Sequence, residues 1–341
     1  MTTDTPNEPT SLVADPHAWR NWLWLVLALA VAGCLLLWLA VVLIDPFSTG
    51  RFALTQRVDI TAINPRLADA ALVRDPRFNA AILGDSTAVT IDPRAVAGSS
   101  AWRVLQLSLY GASAPEIVTV ADAFERHHRG VATLEIIVMS NQWCGTTLVP
   151  VGLIGMGGPI PFQSWLYDSS DAVYLSRLLS SEAVALSVKR VNIWLGRSKP
   201  ELRDDGFLER PLERHPPALL KQRPTAGPSP MAPFPSLDLL AAHIDALPDN
   251  RAVAIVLVPI HVSALPVAGS AGAARLEACK QRIHDIAARR PRAAYLDLMV
   301  ENAISMSEDN YADSMHMAVT AVPQLEAAIA QLLEQNGLRP E

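Results

Sequence analysis

The chain has 341 residues, of which 50% are hydrophobic and 18% are charged, and its formal net charge is −6. The slight acidity and the lack of a basic stripe argue against a nucleic-acid-binding protein. A mean hydropathy of +0.21 is high for a water-soluble protein, and the charged fraction lies below the roughly 25% of ordinary domains. Because the apolar excess is concentrated near the N-terminus, the composition indicates one membrane segment followed by one water-soluble domain.

The N-terminal region divides into a polar arm and an apolar helix. Residues 1–19 are polar and proline-containing, which predicts a disordered arm. Residues 20–44 are predicted to form a transmembrane helix, since 21–44 contain no charged side chain and reach about 36 Å at ~1.5 Å per residue. A cleaved signal peptide fits less well, because its apolar region has only about 7 to 15 residues before a cleavage site. The helix therefore indicates a single-pass, lipid-embedded anchor.

The charges beside this helix do not decide its orientation. Arg20 precedes the apolar stretch, whereas Arg51 and Arg57 follow it, and positive charges favour the cytoplasmic side. Long domains cross a membrane largely regardless of flanking charge. Charge alone therefore leaves the side of the domain open.

Beyond a linker at 45–75, short apolar strands alternate with helical patterns. The predicted strands are Asn79–Leu83, Val104–Ser108, Leu134–Met139, Ala252–Val258 and Ala293–Leu298. The predicted helices are Pro115–His128, Gly269–Arg290 and Val319–Leu333. Because the strands are apolar throughout, they indicate a parallel sheet buried on both faces. Residues 76–341 are therefore predicted to form one α/β domain.

An insertion at about 145–235 interrupts this alternation. It contains one predicted helix, about Ser170 to Leu195, followed by nine prolines between Pro200 and Pro235. Long irregular connections in compact domains are usually functional lids or mobile segments. We interpret this segment as an elaboration of one domain, not as a second core.

Cysteines and metal motifs give little functional information. Cys34 lies in the apolar helix, which leaves Cys144 and Cys279 as one available pair or, more commonly in a domain of this size, as two free buried thiols. Neither CxxC nor HExxH occurs. The sequence predicts no metal site and no cofactor.

Ser86 is the first candidate catalytic residue. The first predicted strand ends in Gly84-Asp85-Ser86, and ligands of open α/β folds bind at the carboxyl edge of the sheet. A serine at this edge is therefore a candidate nucleophile. The alternative is that Ser86 only caps a helix.

Asp313 and His316 form the second candidate element, just before the last predicted helix. A hydroxyl that attacks a carbonyl needs a base, and the base needs a partner that holds the correct ring tautomer. An aspartate three residues ahead of a histidine on a turn supplies both. The alternative is a solvated histidine on a surface turn.

Gly111 and Asn141 follow the second and third predicted strands, at the same expected edge as Ser86. A tetrahedral intermediate needs hydrogen-bond donors aimed at its oxyanion, and a backbone N–H and a side-chain amide are suitable donors. Both residues are also common in ordinary turns. Their positions predict an oxyanion hole beside Ser86.

The order serine, glycine, asparagine, aspartate-histidine resembles the SGNH (GDSL-like) hydrolase superfamily over roughly residues 75–335. The resemblance implies a flavodoxin-like three-layer α/β/α sandwich. It also implies acyl chemistry on Ser86, with His316 as base, Asp313 orienting it, and Gly111 and Asn141 as oxyanion donors. The chain departs from the family pattern where Met139-Ser140-Asn141-Gln142 replaces Gly-x-Asn-Asp.

A finer resemblance is to the membrane-anchored branch that includes DltD-like and alginate-acetylation-like proteins. Three features carry it: Asp45-Pro46-Phe47 after the span, the segment from Pro161 to Asp168, and Asn310-Tyr311-Ala312-Asp313. The resemblance implies a protein of the inner membrane whose domain is extracytoplasmic, and periplasmic in a Gram-negative cell. It further implies O-acylation of an envelope or exported polysaccharide beside an MBOAT-type O-acyltransferase.

Two functions follow as hypotheses. The first is a membrane-anchored serine esterase or O-acyltransferase that works through an acyl-serine intermediate. The second is a non-catalytic subunit that keeps the fold for assembly or polymer binding, a hypothesis favoured by the altered third motif and the large insertion.

Overall fold

A five-stranded sheet forms the centre of the domain in the computed structural model, which describes residues 16–55, 60–62, 64–148, 161–209 and 217–340. The strands are β1 Ala80–Leu83, β2 Val104–Gln106, β3 Leu134–Met139, β4 Ala252–Leu257 and β5 Ala293–Asp297. Every pair is parallel, and the order across the sheet is β2-β1-β3-β4-β5. The predicted parallel α/β sheet is thus confirmed, with all five strands within two residues of their predicted ends.

The helices that the structure describes are α1 Pro16–Ile44, α2 Pro65–Leu72, α3 Pro93–Ala97, α4 Ala114–His127, α5 Asp171–Arg177, α6 Ser181–Trp194, α7 Pro235–Ala246, α8 Ala271–Ala288 and α9 Val322–Gln335. Five of them form two packed groups beside the sheet. Helices α4, α7 and α8 contact one another in series, and α3 packs on α9. Residues of β1, β3 and β4 are buried throughout, as their apolar sequences require.

The prediction of one helix over Ser170–Leu195 is wrong, because the structure has two. Helix α5 ends at Arg177, and α6 begins after Ser180, whose Oγ accepts a hydrogen bond from the Ala183 N–H at 3.1 Å. A serine at this position stabilises a new helix start. Only residues 178–180 separate the two helices, and this helix-loop-helix unit is hereafter called the α5–α6 hairpin.

Helix α1 begins at Pro16, four residues before the predicted start of the span. Residues 17–44 of α1 have a mean hydropathy of 2.9 over their most apolar window, so the helix is long and apolar enough to cross a membrane. Membrane spans and signal sequences share this property. Most of its side chains are exposed, including Trp22 and Trp24.

Residues predicted as a linker contribute to the folded core. Phe47, Leu67 and Leu72 are buried, the last two on α2. The Phe47 ring meets the Trp165 ring edge to face, with centroids 5.3 Å apart. The structure therefore brings Asp45-Pro46-Phe47 and the Pro161–Asp168 segment, two distant parts of the sequence, into contact.

Cys144 and Cys279 form a disulfide bond, so of the two alternatives that the sequence left open the structure has the pair, although two free thiols are the commoner case. Cys144 follows β3, and Cys279 lies on α8. The bond therefore ties the turn after β3, which carries Asn141, to a helix that packs on β4 and β5.

Candidate active site

The structure places Ser86 on a turn after β1 and not at a helix end. Residues 86–90 form successive turns, and the next helix, α3, is capped by Asp92. The alternative role of Ser86 as a helix cap is therefore excluded. Its hydroxyl is left at the carboxyl edge of the sheet, where ligands of open α/β folds bind.

Ser86, His316 and Asp313 form a continuous hydrogen-bonded chain, although 230 residues separate the serine from the histidine. Ser86 Oγ lies 2.8 Å from His316 Nε2. His316 Nδ1 lies 2.8 Å from Asp313 Oδ2 and 3.0 Å from Oδ1. Because Nδ1 faces two carboxylate oxygens, it must carry the proton, and Nε2 of the neutral ring is then free to accept the serine proton.

A tight hairpin between 311 and 317 holds Asp313 and His316. The Ala312 N–H donates to the His316 carbonyl at 2.9 Å, and Tyr311 pairs antiparallel with Met317. The backbone of the loop after β4 also supports it, through a 3.1 Å bond from the His261 N–H to the Ser314 carbonyl. The histidine is thus positioned by the main chain on both sides.

Asp313 is held as a carboxylate. Its partial burial alone would raise its pKa, but hydrogen bonds from the Met315 N–H and from His316 outweigh burial, and the pKa is lowered. The Met315 N–H lies 2.7 Å and the His316 N–H 2.8 Å from Oδ1. A charged carboxylate at this point stabilises the imidazolium that forms when His316 takes a proton.

The three residues line an open cavity of about 640 Å³. The side chains of Asp313 and His316 are 40% and 39% exposed, so they lie at its mouth. Hydroxyl and aromatic groups share the lining, including Thr87, Thr90 and Tyr110. Apolar side chains such as Val89 and Val319 line it as well, so the lining is about evenly polar and apolar.

Gly111 and Asn141 lie on the turns after β2 and β3, on either side of the Ser86 turn, because β1 lies between these strands. Gly111 has a φ of +59°, a conformation that glycine adopts without strain. Neither residue lines the 640 Å³ cavity. Their role as oxyanion donors stays a prediction.

A buried carboxylate that the sequence analysis did not single out connects all three turns. Asp85 Oδ1 accepts from the Thr87 N–H at 2.8 Å, and Oδ2 accepts from Ser140 Oγ at 2.6 Å. The Gln142 side-chain amide donates both to Asp85 Oδ2 and, at 3.1 Å, to the Ala112 carbonyl. Neighbours of Ser86, Gly111 and Asn141 are thus joined by one carboxylate and one amide.

The polar run Ser140-Asn141-Gln142, directly after a fully buried strand, was the available signal for this network. From the sequence alone, only Asn141 of this run has a predicted role. The flanking Ser140 and Gln142 are the residues that contact Asp85.

Gly84 allows the Ser86 turn to pass close to β3. A Cβ on this residue would lie 2.7 Å from Ala88 Cβ and 2.9 Å from the Val138 carbonyl oxygen. No side chain fits in that space, so the glycine of Gly84-Asp85-Ser86 is required by packing.

Comparison with known protein families finds no match to this chain, and comparison with curated proteins finds none. The features of the protein that indicate its function are therefore the geometry of the Ser86 site and the order of its sequence motifs.

Proposed function

We propose that the protein is a membrane-anchored serine esterase or O-acyltransferase that acts on acyl groups of an envelope or exported polysaccharide. The observation that carries the proposal is the 2.8 Å contact between Ser86 Oγ and His316 Nε2, with Asp313 on the opposite ring nitrogen. Nucleophile, base and orienting carboxylate are the arrangement that acyl transfer to serine requires.

In the proposed reaction, Ser86 Oγ attacks the acyl carbonyl carbon while its proton passes to His316 Nε2. The tetrahedral intermediate collapses, the alkoxide leaves with the proton from His316, and the acyl group stays on Ser86. Water or a polymer hydroxyl then gives its proton to His316 and attacks the acyl-serine. As the ester bond breaks, His316 returns this proton to Ser86 Oγ, and the free serine is restored. The Gly111 N–H and the Asn141 amide are the proposed oxyanion donors.

Several features support the finer parts of the proposal. The strand order 2-1-3-4-5 is that of flavodoxin-like folds, which agrees with the SGNH resemblance. The Cys144–Cys279 bond supports an extracytoplasmic domain, since stable disulfides belong mainly to oxidising compartments. An MBOAT-type partner and a polysaccharide acceptor are proposed from the resemblance to the membrane-anchored branch.

The test is covalent labelling of the full chain in detergent with a fluorophosphonate, together with hydrolysis of p-nitrophenyl acetate. Wild type is expected to be labelled, and Ser86→Ala is expected to lose the label completely. His316→Ala should slow labelling by about 10²- to 10⁴-fold, the usual contribution of a general base. Ser99→Ala, at an exposed serine away from the cavity, is the matched control.

Equal labelling of wild type and Ser86→Ala would refute the assignment of the nucleophile. If Ser86→Ala and His316→Ala also complemented a deletion strain fully, the non-catalytic subunit would replace the enzyme as the better hypothesis. Transfer to a polymer acceptor in the presence of a membrane partner would distinguish an acyltransferase from an esterase.

A further inference from the structure

The folded domain covers only the last turns of α1. Side chains from Trp19 to Leu37 are largely exposed, whereas Val41 and Val42 are buried. Trp38 lies at the boundary and donates its indole N–H to the Leu175 carbonyl of α5 at 3.1 Å. A hydrocarbon core of ~30 Å takes about 20 helical residues, so a span that begins after Arg20 ends near position 40. The domain therefore meets α1 at the depth where hydrocarbon gives way to headgroups.

The α5–α6 hairpin is fastened to the end of α1 by a buried carboxylate. Asp45, which follows the last residue of α1, accepts a hydrogen bond from Tyr174 Oη of α5 at 2.6 Å. The Arg190 guanidinium of α6 lies 3.7 Å from its Oδ2 and also donates to its carbonyl oxygen. The side chains of Asp45, Tyr174 and Arg190 are all almost completely buried. Because side chains of α5 and α6 both bind Asp45, the α5–α6 hairpin has a fixed position relative to the end of α1.

Large exposed hydrophobic side chains are concentrated around this junction. Leu54 is 73% exposed, and its N–H donates to the Leu43 carbonyl in the last turn of α1. Leu179, in the hairpin loop, is 68% exposed. Val188 on α6 and Leu195, the residue directly after this helix, are each 58% exposed. They are seven residues apart, a spacing that places both on the same side of the helix axis. We call the following residues the apolar collar: Phe52, Leu54, Val173, Leu179, Val188 and Leu195.

The collar holds nearly half of the large hydrophobic side chains that are exposed outside α1 in the described part of the chain. Such a concentration on a water-facing surface marks an interaction site. Its position at the end of an apolar helix identifies the partner, because the collar continues the lipid-facing surface of α1 at headgroup depth. Interfacial segments bury apolar side chains at this level.

We propose that the apolar collar lies in the lipid interface and is a second membrane contact, which holds the domain in one orientation against the bilayer. The inference rests on α1 being the proposed membrane anchor. Because Asp45 fastens the hairpin to the span, the collar also sets the height of the Ser86 cavity above the membrane. The substrate then reaches Ser86 at a defined distance from the lipid surface.

The test uses the full chain in nanodiscs of phosphatidylcholine and phosphatidylglycerol, in a Cys34→Ser background that keeps the Cys144–Cys279 bond. Nitroxide labels are placed at Leu179→Cys and Val188→Cys in the collar. Val131→Cys, at an exposed hydrophobic residue elsewhere, is the matched control. Leu29→Cys, in the middle of α1, reports on the anchor itself. Relaxation by oxygen, which partitions into lipid, is compared with relaxation by a water-soluble nickel chelate.

The collar labels are expected to favour oxygen over the nickel chelate, as the Leu29→Cys label does, whereas the Val131→Cys label favours the chelate. If the collar labels resembled Val131→Cys while Leu29→Cys remained in lipid, the collar would be refuted and the anchor retained. Chelate access at Leu29→Cys would instead refute the anchor. Protection of the collar labels from both reagents would show a protein partner there, and would overturn the lipid assignment.

Discussion

Replacing Asp85 by asparagine tests whether its carboxylate builds the candidate site. Oδ1 accepts from the Thr87 N–H, and Oδ2 accepts from Ser140 and Gln142. The Ser140 hydroxyl, and the Thr87 hydroxyl that also donates to Oδ1 at 2.7 Å, can turn to accept from an amide. The Thr87 N–H and the Gln142 amide group cannot accept. With the new NH₂ group towards Gln142, two amide donors face each other, and turning Gln142 would set its oxygen against the Ala112 carbonyl. With the NH₂ group towards Thr87, a backbone N–H loses its acceptor.

Either orientation replaces hydrogen bonds to a charged group that is only 3% exposed by weaker bonds to a neutral amide, and one donor loses its acceptor, either the Thr87 N–H or the exposed Gln142 amide. Such a loss costs about 1–3 kcal/mol. We expect Asp85→Asn to lower the free energy of unfolding by that amount, measured for the full chain by urea titration. Since Asp85 shapes the turn that carries Ser86, the proposed nucleophile, fluorophosphonate labelling of Ser86 should also slow under conditions where the variant is folded.

Asp285→Asn is the matched control. Asp285 also accepts from a glutamine amide, that of Gln281 at 2.8 Å, but its side chain is 53% exposed. Water replaces the lost contact there, so stability should change by less than about 0.5 kcal/mol. If Asp85→Asn unfolded and labelled like wild type, the inferred role of the carboxylate would be wrong.

Two further predictions concern stability. Burial would lower the pKa of His243, but the carboxylates of Glu135 and Asp122 outweigh it and raise the pKa to about 10. The stabilisation from the ion pairs is therefore complete below about pH 6.5 and is lost as the pH rises towards 10. The stability difference between wild type and His243→Gln should shrink by about 1.4 kcal/mol per pH unit in that window; a difference that stays constant from pH 7 to 9 would contradict this. Replacing Cys144 and Cys279 together by serine removes a bond between residues 135 positions apart and should lower the free energy of unfolding by about 2–5 kcal/mol. The control is Cys34→Ser, at the free cysteine of α1, which should leave the free energy of unfolding unchanged. Similar unfolding midpoints for the two variants would contradict this prediction.

The sheet was predictable because four of its five strands, β1 to β4, are buried on both faces. Runs such as Leu134–Met139 and Ala252–Leu257 have no polar alternation, and burial of this kind is visible in a single sequence. The order Ser86, then Asp313 and His316 also carried enough chemistry to predict their contact. Parallel strands that end at one sheet edge bring residues far apart in the sequence into proximity. The predicted topology therefore indicated a contact between Ser86 and His316 that their 230-residue separation alone does not indicate.

The features that the sequence did not reveal have two causes. The break between α5 and α6 is marked by one local signal, the serine cap at Ser180, inside an otherwise continuous helical pattern. The other features are decided by tertiary contacts. The role of Asp85 depends on where Ser140 and Gln142 point. The pairing of Cys144 with Cys279 depends on how α8 packs beside the turn after β3, because spacing does not bring two cysteines together in a chain of this length.

The exposure of His316 and Asp313 has a consequence for the shape of the substrate. Their side chains are about 40% exposed at the mouth of an open cavity, so the reacting group does not have to enter a tunnel. A long chain lying across the surface can present one internal unit to Ser86 while both of its ends remain in solution. The proposed acyl chemistry would then act along the length of a polymer, one unit at a time, with no requirement for a free terminus.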